Sequence, residues 1–75
     1  MTGPNYIGGP VWQYRKARAT IMAGEREFKG KRFFELREWL EGQPMTATGK
    51  GVTLPDNKAV KSLYAALGEY LDSLQ

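Results

Sequence analysis

A chain of 75 residues with no cysteine and no histidine has few ways to hold itself together. Disulfides are excluded, and so are the zinc sites that staple many domains of this size. Hydrophobic burial must carry the fold, yet a chain this short removes only about 60% of its unfolded surface from water. One domain therefore fills the length, and self-association is an expected supplement to its core. The same two absences narrow the chemistry. Histidine is the usual general base near neutral pH, and both residues are the common transition-metal ligands. The serines, Ser62 and Ser73, fall in a helical stretch with no base at hand. No catalysis, no metal and no cofactor are expected.

Charge is spread unevenly. Between Arg15 and Arg37 the chain carries Arg15, Lys16, Arg18, Arg26, Lys29, Lys31, Arg32 and Arg37 against Glu25, Glu27 and Glu35, a local excess of +5 in a chain of net +3. From Asp56 onward the balance is −1. Such an imbalance suits a basic face for a polyanion, and it equally suits a solvated surface. No apolar run approaches the ~20 residues that cross a bilayer, so no membrane partner is expected.

Residues 1–10 hold Gly3, Pro4, Gly8, Gly9 and Pro10 and read as a flexible tail, leaving 11–75 as the binding domain. Val11–Lys16 and Arg18–Phe28 read as strands, with a bulge or bend at Gly24. Phe28-Lys29-Gly30-Lys31 is a turn. Arg32–Leu40 alternates, placing Phe34, Leu36 and Leu40 on one face and Phe33, Glu35, Arg37 and Trp39 on the other. Glu41–Gly51 reads as a loop entering a short strand, Lys50–Leu54. The rest is a helix, capped by Thr53 or Asp56, with Val60, Leu63, Tyr64, Leu67, Leu71 and Leu74 at three- and four-residue steps. The order is β-β-β-β-α: a four-stranded twisted antiparallel sheet followed by one C-terminal helix, in the α+β class.

Lys and Arg neutralise phosphates, and aromatic faces stack unpaired bases. Phe28 between basic residues, with Arg37 and Trp39 on the next strand, supplies both ingredients in one hairpin. Phe28 and Trp39 as packing residues fit the same pattern. Gly49-Lys50-Gly51 admits two readings, a backbone turn into the last strand or a close approach to phosphate with Lys50 in contact. The helical stripe is either buried on its own sheet or shared with a second copy.

Two blocks carry a resemblance. Arg26-Glu27-Phe28-Lys29-Gly30-Lys31, continuing through Phe34-Glu35-Leu36-Arg37-Glu38-Trp39, resembles the central hairpin of the positive cofactor four (PC4-like) transcriptional coactivator family. Gly49-Lys50-Gly51-Val52-Thr53-Leu54, then Pro55 and a helix, resembles that family's last strand and helix start. The resemblance implies a homodimer joined through the helices at Val60, Leu63, Tyr64, Leu67 and Leu71. It implies that single-stranded DNA or melted duplex is bound on the paired sheets, mostly without sequence preference. Phe28, Lys29, Lys31, Arg37 and Lys50 match contacting positions, and Arg26 and Trp39 join them as candidate nucleic-acid residues. The family's stacking tryptophan aligns with Leu40, which moves the stacking role from Trp39 toward Phe28. No counterpart of the Ser-rich tail of eukaryotic members is seen, which suits a bacterial or viral homologue.

The expected function is single-stranded DNA binding in replication, recombination, repair or transcription, with RNA as another substrate and transcription or replication proteins as candidate partners. No signal-peptide pattern opens the chain, so a cytoplasmic, nucleoid-associated location is expected, or a nuclear one in a eukaryote. A protein-interaction adaptor is the alternative. A nuclease needs clustered acids, and Glu35 and Glu38 fall on opposite faces of a regular strand.

Overall fold

A computed structural model describes residues 4–74. Four strands, β1 (Trp12–Arg15), β2 (Ala19–Phe28), β3 (Lys31–Leu40) and β4 (Thr46–Leu54), precede one helix, α1 (Asn57–Ser73). The strands form one antiparallel sheet in sequence order. Each neighbour in the chain is a neighbour in space, which short connections favour.

The β2–β3 hairpin is the frame. Ten residues of each strand pair without interruption, from Ala19 opposite Leu40 to Phe28 opposite Lys31. Lys29 (φ 52°) and Gly30 (φ 80°) make the two-residue turn whose left-handed backbone matches the twist of the flanking strands. Opposed residues share a face, so Met22, Gly24, Arg26 and Phe28 lie with Lys31, Glu35, Arg37 and Trp39. The other face carries Trp12, Tyr14, Ile21, Leu36 and Val52.

Two local expectations change, and the choice between two helix caps is decided. Gly24 makes no bulge, because it pairs in register with Glu35. Instead a Cβ there would stand 2.9 Å from the Tyr6 ring and 3.3 Å from Pro10 Cα, so glycine leaves room for the N-terminal segment. β4 begins at Thr46 rather than Lys50, and the loop shrinks to 41–45. The missing regularity is a register shift opposite Arg37–Trp39. Thr48 holds it, its hydroxyl donating to the Glu38 carbonyl (3.1 Å) and accepting from the Lys50 N–H (3.0 Å). Thr53 does not cap the helix, because it is a strand residue opposite Glu35. Asp56, extended at φ −155°, caps it by accepting from the Ala59 N–H at 2.9 Å.

Met1–Gly3 of the expected tail lie outside the described residues. From Tyr6 to Val11 the chain follows β2, the Ile7 N–H donating to Glu25 and the Val11 N–H to Ala23, both at 2.8 Å. Tyr6 is buried and forms the core cluster with Met22 and Trp39, against which Met45 packs. Helix α1 takes no part in that cluster. None of its described residues is buried, and Tyr64, Leu67, Tyr70 and Leu71 are exposed. Ala59, Val60 and Leu63 are half-buried where the helix leaves β4. The apolar stripe is therefore not spent on the chain's own sheet.

Candidate nucleic-acid interface

The hairpin puts Arg26, Phe28, Lys31, Arg37 and Trp39 on one face in two groups, whereas Lys50, next to Gly51 in β4, falls on the opposite face with Leu36 and Glu38. At the tip, Phe28 is 65% exposed, and the Lys29 ammonium lies 5.3 Å from its ring centroid. Lys31 is directly opposite Phe28. Lys29, Lys31 and Lys50 enter none of the ion pairs among the described residues. Their charge is uncompensated at contact distance, which is the arrangement that neutralises a phosphate backbone.

Further down the strands, Arg26 and Arg37 converge on Glu35. Arg26 Nη1 meets one carboxylate oxygen at 2.9 Å and Arg37 Nε the other at 3.0 Å. Glu35 is only 5% exposed, so its charge is paired twice where water is scarce. Two cations on one anion leave a net positive charge with both guanidinium planes fixed. Arg37 reaches across β4 to the Thr48 carbonyl at 2.9 Å. Gly51 permits that reach, since a Cβ there would stand 2.9 Å from Arg37 Cζ and from the Leu36 carbonyl. The glycine of Gly49-Lys50-Gly51 that matters structurally thus makes space for an arginine.

Trp39 packs. It is 3% exposed, its Nε1–H donates to the Tyr6 hydroxyl at 3.1 Å, and the two rings meet edge to face at 6.4 Å. In this arrangement its face is not open to a base, and Phe28 is the exposed aromatic of the group. Leu40 is 47% exposed on the opposite face. The helical residues Val60, Leu63, Tyr64, Leu67 and Leu71 lie away from this face-bound cluster, along α1.

The sequence alone does not mark Glu35, Thr48 and Tyr6 as parts of the site, and it marks Gly51 for a turn or a phosphate rather than for Arg37. Glu35 had a signal, an acid between basic residues on the face shared with Arg37. Thr48 and Tyr6 had none, because their parts depend on cross-strand contact. Glu38 lies on the opposite face from Glu35, and a hydrogen bond from Lys16 at 2.8 Å holds its carboxyl below the ordinary range.

Burial pushes the Tyr6 phenol above its ordinary value of 10.0; the Trp39 N–H opposes this and Glu35 reinforces it. The folded state therefore favours the neutral phenol. Its contribution to stability is complete below pH ~10 and is lost as pH rises through the raised folded value. Urea unfolding at stepped alkaline pH is expected to show that decline, and Tyr6→Phe is expected to reduce it. An identical decline in the variant would contradict the assignment.

A protein-family model described as Transcriptional Coactivator p15 (PC4) matches residues 14–63, from the end of β1 into α1. No curated protein and no solved structure gives a significant match.

Proposed function

The chain belongs to the transcriptional coactivator p15 (PC4) family, and on that premise we propose that it binds single-stranded DNA without sequence preference, as a homodimer. The family is one of nucleic-acid-binding coactivators and not of enzymes. The observation that carries the reading is the exposed Phe28 flanked by unpaired Lys29 and Lys31 at the hairpin tip. A stacking ring beside phosphate-neutralising cations is what a sequence-tolerant single-strand site requires. The Glu35-anchored arginines extend the positive surface away from the tip, and Lys50 adds positive charge on the opposite face beside Lys16. The apolar stripe of α1 supplies the dimer contact at Val60, Leu63, Tyr64, Leu67 and Leu71. In a cell the protein acts where strands separate, in replication, recombination, repair or transcription, associated with the nucleoid of a bacterium or virus-infected host.

Titration with oligo-dT and with a matched duplex at two salt concentrations tests the reading. Single strands are expected to bind more tightly, and more weakly at the higher salt. Phe28→Ala is expected to cost about 1–3 kcal/mol of affinity, the usual contribution of one stacked base. Lys50→Ala is expected to flatten the logarithmic salt dependence by about 0.7, as for one lost phosphate contact on a single strand. A wild-type protein with no salt-dependent preference for the single strand would rule the reading out. Retention of a polypeptide partner by variants that have lost nothing toward oligo-dT would favour the adaptor alternative.

A further inference from the structure

We propose that Tyr6 occupies, in cis, a nucleobase subsite on the basic sheet face, and that a base of a bound single strand takes its place. The proposal rests on the single-strand reading and deepens it, by naming where a second base goes and what must leave. Tyr6 lies before the span that matches the family, whereas the walls of its site, Met22, Gly24, Arg26 and Trp39, lie within it.

The site has the parts a base needs. Its floor at Gly24 is bare backbone, on which a flat ring lies so closely that a Cβ would touch it. The Arg26 guanidinium sits 5.6 Å from the Tyr6 ring centroid, and Glu35 fixes that guanidinium from behind at 2.9 Å. A cation over the ring favours any aromatic π-face, tyrosine or base alike. At the edge, the Trp39 Nε1–H donates to the phenol oxygen at 3.1 Å. All four bases carry an edge acceptor able to replace that oxygen, so the site imposes no sequence preference. Phe28 lies on the same face four residues along β2 from Gly24, roughly 13 Å away, so a strand that stacks on Phe28 and follows β2 reaches the Tyr6 site.

The occupant is tethered in a way that permits exchange. Residues 6–11 form no helix or strand, and two backbone hydrogen bonds, from Ile7 and Val11, tie them to β2. When a base enters, Met22 and Trp39 stay covered, because one planar ring replaces another. While Tyr6 is seated the site is closed, and apparent affinity falls by the fraction of molecules that are open.

The test is made on the full chain with oligo-dT as the probe. Proton NMR of the free wild type is expected to show a nuclear Overhauser contact between the Tyr6 ring and the Trp39 indole, with Trp12→Phe assigning the indole signal. At oligo-dT saturation that contact is expected to disappear. Gly24→Ala places a methyl 2.9 Å from the Tyr6 ring at an otherwise regular strand position. A base seated on Gly24 would meet the same methyl, so this variant is expected to lose the free-state contact with no gain in oligo-dT affinity. Tyr6→Ala opens the site with its floor intact and is expected to bind oligo-dT about fivefold to tenfold more tightly, as removal of a closed state requires. A Tyr6–Trp39 contact that survives saturation overturns the proposal and leaves the single-strand reading intact, even where a variant fails to fold. A folded Tyr6→Ala that binds no more tightly than wild type, or a Gly24→Ala that binds more tightly, overturns it too. A wild type that binds no oligo-dT overturns both readings together.

Discussion

Trp39→Ala is expected to remove about 3–5 kcal/mol of folding free energy, the usual cost of truncating a buried Trp or Phe. Trp39 is 3% exposed and is the largest member of a cluster whose other buried members are Tyr6 and Met22. Truncation leaves a void between them and strips the Tyr6 hydroxyl of the Trp39 N–H that it accepts. A domain of this size shifts its melting temperature by roughly 4–8 °C per kcal/mol, so the loss is large against its whole stability. Phe28→Ala is the matched control. Phe28 is 65% exposed at the hairpin tip, and its removal is expected to stay within about 0.5 kcal/mol. Urea unfolding followed by far-UV circular dichroism reads both variants. Equal stability of the two would show that Trp39 is not a core residue.

Leu67→Asp is expected to convert a dimer into a monomer. Leu67 is 51% exposed, and the neighbouring Tyr64, Tyr70 and Leu71 are more exposed still. In one protomer a carboxylate at that position stays in water at little cost. In a helix-to-helix interface it becomes a buried, unpaired charge worth several kcal/mol, and each 1.4 kcal/mol is tenfold in the association constant. Sedimentation equilibrium is expected to give twice the chain mass for wild type and the chain mass for the variant. The core cluster of Tyr6, Met22 and Trp39 contains no residue of α1, so the sheet signal is expected to persist. A monomeric wild type at micromolar concentration would remove the dimer from the proposal.

Legibility followed the range of the interactions. The Phe28–Lys31 turn could be read because Lys-Gly flanked by alternating residues is a local signal, and the two faces of β3 follow from the two-residue repeat. The start of β4 was misplaced because Gly49 and Gly51 resemble loop residues. What keeps Thr46–Leu54 a strand is cross-strand: Thr48 bridging to Glu38, and Arg37 lying over Gly51. Of the two candidate helix caps, Asp56 serves for a similar reason, since pairing with Glu35 holds Thr53 in the sheet. Phe28, Lys29, Lys31 and Lys50 were legible as candidates from residue type and order. Arg26, Arg37 and Trp39 were legible by position, but their engagement with Glu35 and Tyr6 was not.

A chain with neither cysteine nor histidine must build its fold from apolar burial, and its sequence determined the form that burial takes. Periodicity in β3 and α1, the glycine turn and the proline before the helix fixed four strands and then a helix. Each of those signals acts within a few residues. Only the tertiary structure decided that a glycine- and proline-rich N-terminus supplies Tyr6 to the core, 33 residues from the tryptophan it bonds. It also decided that Trp39 packs while Phe28 stays open, and that the helical stripe is left off its own sheet. A contact between distant positions has no periodic trace in the chain, because the fit of one ring onto one glycine exists only once the strands are paired.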